Sequence, residues 1–350
     1  MLHVGLPSLR CRSRVHRNDE RSLGKDPGRA PDDRVRTVQV IRDLSQPHFR
    51  DRGTVVTIGA YDGVHLGHQA VIAEVRAKAK AQGCASAVVT FDRHPASIVR
   101  PESAPQLITD LDQKLELLEA TGIDAVVVLH FDHAMSELSA AQWANDVLVR
   151  CLSAQTIVVG EDFHFGHDRS GNVAFLTKLG QTEGFDVQGL PLIERTDGVT
   201  ESISSTAIRR ALAGGQVEVA ARLLGRPFEG RGIVVTGDQR GRLLGFPTAN
   251  VEIPNQVCLP ADGVYAGFYE RPDGQVHKCA INLGRRPTFY AHTDHSLLEA
   301  HLLDFQGDLY GEPAKVRFVA FLRSERKFDG IDSLRQQLAH DIEATRKALS

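Results

Sequence analysis

From Thr54 onward, apolar and polar positions fall into short regular blocks. TVVTIG (54–59) reads as a buried strand and YDGVHLGH as a turn, after which Val71, Ile72, Val75 and Ala79 share one helical stripe. That helix closes on Arg76, Lys78 and Lys80 before Gln82-Gly83, the basic last turn and glycine that suit a helix C-terminus. ASAVVTF (85–91) is the next strand, and DAVVVLHF (124–131) and QTIVVG (155–160) follow, separated by helical segments at QKLELLEATG and around SAAQWANDVLVRCL. Short apolar strands alternating with helices predict βαβ units and a parallel sheet, with ligands at the carboxyl ends of its strands.

The texture changes near residue 220. AIRRALAGGQVEVAARLLG is helical, and after Arg226-Pro227 come GRGIVVTG, TANVEI, GVYAGFY, VHKCAINLG, LLEAHLLDF and KVRFVAFL, six short strands cut by Gly, Pro and Asp turns. This spacing predicts a small antiparallel barrel or sandwich. Ile331, Leu334, Leu338, Ile342 and Leu349 form a last helical stripe to pack against it. The boundary between the two parts is expected at 222–228.

Composition changes the picture at one end. Residues 1–37 carry nine Lys/Arg against five Asp/Glu and no periodicity, so a chain of net charge −3 has a +4 tail and a body at −7. The tail is expected to be a disordered basic extension, or the product of a start set too early, since Val38 opens the first segment that looks folded. It lacks a signal's apolar run and carries too many acids for a transit peptide. The acidic body excludes a broad nucleic-acid surface, and no apolar run reaches the roughly 18 residues of a membrane span. Five scattered cysteines without a CxxC pair point to a reducing cytoplasm; Cys258, Cys279 and His301 lack metal-ligand spacing and read as core residues.

Three stretches carry candidate chemistry. In GAYDGVHLGH, Gly59, Gly63 and Gly67 let the backbone approach a ligand, and His65 and His68 project from about one face of a helix start, a place suited to phosphate. Alone, the motif reads more readily as two surface histidines at a helix start; its position after an apolar strand and a glycine-rich turn reverses that preference in favour of phosphate chemistry. GDQRGRLLGFPTAN (237–250) is a glycine loop entering a strand, not a Walker A loop, and by itself could be a long hairpin turn. Thr248 and Asn250 alternate onto one face and offer the hard oxygens that Mg²⁺ takes. In LLEAHLLDF, Leu297, Glu299 and His301 share a face, which makes Glu299 either a solvent-facing carboxylate or a base.

Together these segments resemble the bacterial bifunctional riboflavin kinase/FAD synthetases. GAYDGVHLGH is similar to the HxGH signature of nucleotidyltransferases, TFDRHPASIVRP (90–101) to a flavin-side loop, VVGEDFHFGHDRSGN (158–172) to a nucleotide and flavin loop, ISSTAIRRAL (203–212) to a segment closing over triphosphate, and GRLLGFPTAN to the riboflavin kinase signature. The likeness spans 38–350. It implies an α/β nucleotidyltransferase domain with a Rossmann-like parallel sheet (38–224), then a six-stranded antiparallel β-barrel kinase domain with a C-terminal helix (228–350).

Carried over residue by residue, it implies that Gly59, Asp62, Gly63, His65, His68, Asp162, Ser205, Thr206 and Arg209 hold ATP phosphates, although SSTAIR alone would be an ordinary helix cap. Gly241, Gly245, Thr248 and Asn250 would bind the kinase ATP with Mg²⁺. Glu299 would be the base, and Phe91, His94, Pro95, Phe163, Phe165 and Arg286 would shape the flavin side. Tyr61 stands where the family often has Phe, and His164 where it often has Arg.

The expected activity is phosphorylation of riboflavin to FMN, then adenylyl transfer to FMN giving FAD and pyrophosphate. The partners are small molecules (ATP, riboflavin and FMN), with no nucleic acid and no membrane; a transient homo-oligomer is left open. One alternative is a single-function adenylyltransferase with a regulatory flavin-binding barrel, which substitution of Glu299 would distinguish; another is a non-catalytic flavin-binding or RNA-binding protein, and the presence of both phosphate loops argues against each of these two.

Overall fold

The computed structural model describes residues 38–237, 241, 245–285 and 296–350. The tail 1–37 and Arg286, both the subject of expectations above, lie outside the described residues. The first half is a six-stranded, wholly parallel sheet in the order β1-β4-β3-β2-β5-β8. Its strands are β1 (Gln39–Ile41), β2 (Thr54–Ile58), β3 (Ala85–Phe91), β4 (Ala125–Leu129), β5 (Ala154–Gly160) and β8 (Asp186–Leu190). A two-stranded ribbon, β6 (His164–Phe165) with β7 (Gly171–Asn172), stands apart from it.

Side-chain alternation explains why helices cover both faces. Val56 and Ile58 of β2, Ala125, Val127 and Leu129 of β4, and Ile157 and Val159 of β5 enter one buried cluster with Trp143, Leu148 and Leu176. Val55, Val126, Val128 and Val158 enter another with Ile72, Val75 and Ala79 of α1 (Leu66–Gln82). Helix α1 stops at Gly83, which takes the left-handed φ of 71° and donates to Ala79 and Lys80 carbonyls. Helices α2 (Ala96–Val99), α3 (Leu111–Glu119), α4 (His133–Ser136), α5 (Ala140–Ala144) and α6 (Val173–Glu183) complete this half. The helical SAAQWANDVLVRCL segment is α5 continued by a wider π-helical stretch, Asn145–Cys151, that buries Val147, Leu148 and Cys151.

Helices α7 (Ser205–Ala213) and α8 (Val217–Leu224) lead to a closed barrel in the order β10-β13-β12-β11-β14-β9. These strands are β9 (Phe228–Val235), β10 (Ala249–Glu252), β11 (Gly263–Glu270), β12 (Val276–Arg285), β13 (Ser296–Leu302) and β14 (Pro313–Arg323), and all barrel pairings are antiparallel. The interior alternates as strand geometry demands: Leu298, Ala300 and Leu302 point in, while Leu297, Glu299 and His301 are only part-buried. At Gly267 a Cβ would lie 2.0 Å from the Arg317 carbonyl, so β11 approaches β14 there as only glycine allows. Helix α9 (Ile331–Ala348) packs on β11, β12 and β14, held by the paired Arg323–Asp341 bonds of 2.9 and 2.7 Å.

One reading needs correction. Cys258 and Cys279 lie in the barrel core, but His301 does not: it faces outward, donates from Nδ1–H to the Pro247 oxygen at 2.7 Å, and meets Phe246 edge to face. Its parity on β13 sends it to the face opposite Ala300. Cys84 and Cys151 are buried thiols in the first half.

Candidate active sites

Three loops leave the same edge of three adjacent strands. The HxGH turn follows β2, the 91–100 loop follows β3, and the 160–172 excursion follows β5, each a parallel neighbour of β2. The first site is built on the HxGH turn. His65 is the N-cap of α1, and its Nδ1 accepts from the His68 amide at 3.3 Å. That bond places the ring proton on Nε2, leaving Nε2–H as a donor. The two imidazoles stack with centroids 3.6 Å apart, and Tyr61 meets His68 at 4.7 Å while its hydroxyl bonds Thr57 at 2.7 Å. Nδ1 of His68 is buried without a protein partner, an atom that a ligand or water would satisfy. Burial, then the Arg226 and Arg209 charges, push His65 down to about 4; burial, His65 and Lys114 hold His68 well below the ordinary imidazole value. Both rings are therefore neutral near pH 7.

Asp62 does structural work in this turn. Only 4% exposed, its carboxylate accepts from the Ile108 amide at 2.9 and 3.1 Å, the Thr109 amide at 3.0 Å and the Thr109 hydroxyl at 3.3 Å, and it pairs with Arg209. Arg209 also donates to the Gln106 oxygen at 2.6 Å, and Ser205 donates to the Asp62 backbone oxygen at 2.9 Å. Ser204, one residue earlier than the two expected grips, is the actual cap of α7, and Thr206 is exposed. The structure thus gathers Gly59, Asp62, Gly63, His65, His68, Ser205 and Arg209. Gly63 has φ +83°, and a Cβ there would press Ile108 at 3.0 Å.

The flavin-side residues are distributed over the neighbouring loops. His94 accepts from the Ala96 amide at 3.1 Å and is lowered by burial and then by Arg209, which puts it beside the same charge cluster; Pro95 precedes α2. Phe91 closes β3 and packs edge to face on Phe131. Phe163 and Phe165 stack at 5.5 Å, with Trp143 under Phe165, and Asp162 stands exposed at the end of β5. His164 turns back onto the Asp162 oxygen at 2.8 Å.

The second site lies outside the barrel wall. Glu299 pairs in register with Asn250 on β10 and with Asn282 on β12. Glu299, His301, Asn282, Gly241 and Thr248 line a cavity of about 620 Å³, closed by Arg323–Phe328 and by Leu334, Leu338 and Ile342 of α9. Asn250 is buried and its Oδ1 has no partner. Gly241 is bound to its place: a Cβ would stand 2.4 Å from the Phe246 oxygen, while Gly245 has φ +87°. Glu325 is raised by burial, then by Asp262, with Glu299 also contributing, and Glu299, Glu325 and Asp341 are the three carboxylates among the residues lining this cavity. A second cavity of about 540 Å³ lies between Thr248, Asn250 and the 305–310 loop.

Sequence reasoning missed two groups. Lys114 and Arg226 are buried or part-buried cations that donate to carbonyls of the HxGH turn. A lysine inside the apolar stripe of α3 was the available signal for the first, and an arginine between a glycine cap and a proline for the second.

The sheet with its HxGH turn and the closed barrel with its glycine loop define a nucleotidyltransferase half joined to a flavokinase-type barrel. Residues 48–207 match the family model of FAD synthetase and residues 224–349 that of riboflavin kinase. The bifunctional riboflavin kinase/FMN adenylyltransferase of Pseudomonas fluorescens is 40% identical over 88% of this chain and 97% of its own. Those of Listeria monocytogenes and Escherichia coli K12 are 36% and 37% identical, over 89% and 88% of this chain and 98% and 96% of theirs. A crystal structure from Streptococcus pneumoniae, described as a macrolide-efflux protein, superposes with a TM-score of 0.78 at 30% identity, covering 89% of this chain and 99% of that one. No helix among the described residues here is long and apolar enough to cross a membrane. The chain belongs to the bifunctional riboflavin kinase/FMN adenylyltransferase family, and both halves that this name joins are present.

Proposed function

We propose that the two halves act in sequence, residues 228–350 phosphorylating riboflavin to FMN and residues 38–224 adenylating FMN to FAD. In the barrel, Glu299 accepts the ribityl hydroxyl proton as that oxygen bonds the γ-phosphorus of ATP and ADP leaves. Thr248 and Asn250 would hold Mg²⁺, a fit supported by the buried, unpartnered Asn250 Oδ1. The cation, when bound, offsets triphosphate charge. Gly241 and Gly245 let the loop come close to the phosphates, and the cavity under α9 takes the flavin; Arg286 is assigned to flavin binding by resemblance alone.

In the sheet half, a phosphate oxygen of FMN bonds the α-phosphorus of a second ATP and pyrophosphate leaves. His65 Nε2–H and His68 donate to the phosphate oxygens as charge builds on them, neutral donors already oriented by stacking and capping. Ser205, Thr206 and Arg209 take the outer phosphates, which requires Arg209 to share its guanidinium between Asp62 and the ligand. Asp162 helps hold the nucleotide, and Phe91, His94, Pro95, Phe163 and Phe165 flank the flavin. The substrates are small molecules, and a cytoplasmic enzyme without nucleic-acid or membrane partners is the setting supported by the acidic body and its free buried thiols.

The observation that carries this reading is the register pairing of Asn250 with Glu299 beside the larger cavity, on a chain that also holds the stacked HxGH pair. Purified protein given riboflavin, ATP and Mg²⁺ is expected to form FMN and then FAD. Glu299→Gln is expected to abolish FMN formation while FMN supplied directly is still converted to FAD. Loss of both conversions in a folded Glu299→Gln protein would refute the division of labour.

A further inference from the structure

The HxGH turn is strained. Tyr61 has φ 51° and Val64 φ 38°, left-handed values that a non-glycine residue, and above all a β-branched one, adopts only when its surroundings enforce them. Both side chains are almost wholly buried. The carbonyls flanking these residues are taken by cations from two other elements. Lys114 of α3, 7% exposed, donates from Nζ to the Ala60 oxygen at 3.3 Å and to the Phe91 oxygen at 2.7 Å. Arg226, at the joint between α8 and the barrel, donates from Nη2 to the Gly63 oxygen at 2.7 Å and from Nη1 to the Val64 and Leu224 oxygens at 3.4 Å.

We infer that Lys114 and Arg226 are positioning residues for adenylyl transfer, clamping the carbonyls on the two sides of the strained HxGH turn and so fixing the His65 and His68 rings. The inference rests on the reading of those histidines as phosphate donors. A burial this complete is costly for an ammonium unless its donors are used, and here they are spent on backbone oxygens at the ends of β2 and β3. The fork of Arg226 reaches three carbonyls, two in the turn and one ending α8, so the last helix before the barrel is tied to the turn that starts α1. Gln69 repeats the link, donating to the Val64 oxygen at 2.9 Å and the Leu224 oxygen at 3.2 Å.

The two clamps also set the electrostatics of the rings. Arg226 and Arg209 face His65, and His65 and Lys114 face His68. Asp62, paired with Arg209, and Asp92 face Lys114; Glu229 and Arg231 face Arg226; His94 borders Arg209. Removing either clamp therefore releases the turn and lets the neighbouring ring bind a proton at higher pH.

The test uses the full chain with Arg226→Met, Arg226→Lys and Lys114→Met, three readouts being taken on each. These are kcat and KM for FMN adenylyl transfer, riboflavin phosphorylation as a measure of folding, and NMR titration of the His65 and His68 rings without ligand. Arg226→Met and Lys114→Met are expected to lower kcat for adenylyl transfer about ten- to a hundredfold, with KM for ATP and riboflavin phosphorylation near the parent values. His65 should titrate at higher pH in Arg226→Met, and His68 in Lys114→Met. Arg226→Lys, which keeps the charge but cannot bridge the carbonyls, should restore the His65 titration while kcat stays low. An unchanged kcat in both Met variants, a change confined to KM, or unmoved ring titrations overturn the inference. So does loss of every activity in Arg226→Met alongside normal transfer in the other two variants. Should the parent protein not adenylate FMN, the proposed reaction fails, while the ring titrations still decide whether the clamp exists.

Discussion

Asp62→Asn is the sharpest perturbation of the first half, because one buried carboxylate there meets five donor contacts. The substitution keeps Oδ1, which holds the Thr109 amide, and replaces Oδ2 by an NH₂ group facing the Ile108 amide and the Arg209 guanidinium. Donor then opposes donor. Breaking a buried ion pair from one side costs about 3–5 kcal/mol. With the Arg209 side chain 17% exposed and still bonded to the Gln106 oxygen, the low end, about 3 kcal/mol, applies. The single tryptophan, Trp143, is 4% exposed in the sheet half, so its fluorescence follows unfolding of that half in urea. With a urea slope of about 2–3 kcal/mol/M, the midpoint should fall by about 1 M. Arg209→Met added to Asp62→Asn removes the stranded cation and should recover about 1 kcal/mol or more of the loss. A midpoint within the error of the parent for Asp62→Asn, or strict additivity in the double variant, would refute the claim that this pair anchors the 106–109 loop.

Replacing His65 and His68 by Ala together should reduce FAD formation by about two orders of magnitude or more, the scale of losing preorganised donors, while FMN formation continues in the same reaction mixture. The histidines also predict an acid limb of stability. Because His65 is pushed down to about 4 in the fold and lies near 6.5 when unfolded, its contribution is complete above pH 6.5 and is lost as pH falls from there to about 4. The loss is about 3 kcal/mol, read as a fall in the Trp143 urea midpoint across that window and flattened in His65→Ala. Removal of residues 1–37 should leave both activities at parent level in the coupled assay. Removal through Asp43 deletes β1 and Ile41, which is 3% exposed, and should cost about 2 kcal/mol or more in the same unfolding measurement.

The parallel core and the barrel were legible in the chain because their strands carry their own patterns, unbroken apolar runs in the sheet and alternation in the barrel. TVVTI, ASAVVTF and AVVVL are buried along nearly their whole length, and LLEAHLL alternates with its parity intact. The two outer strands of the sheet were not legible. β1 has three residues, and β8, DVQGL, is exposed or part-buried throughout, with a glycine and a glutamine in its middle, so neither carries an apolar period. His301 shows the limit of type without parity: as a histidine near apolar residues it passed for core, and the strand's alternation turned it outward.

The sequence by itself determined which groups are the candidates for phosphate chemistry here: the HxGH pair, the glycine loop with Thr248 and Asn250, and one carboxylate on a strand. Those identities are local, set by residue type and spacing within about ten positions. Tertiary structure alone decided what holds them. Asp62 became an anchor only when residues 106–109, fifty positions away in rough terms, supplied its donors, and Lys114 and Arg226 became clamps only when α3 and the joint to the barrel were folded onto the turn. A cation's partners depend on which carbonyls burial leaves unpaired beside it, and no pattern along the chain records that.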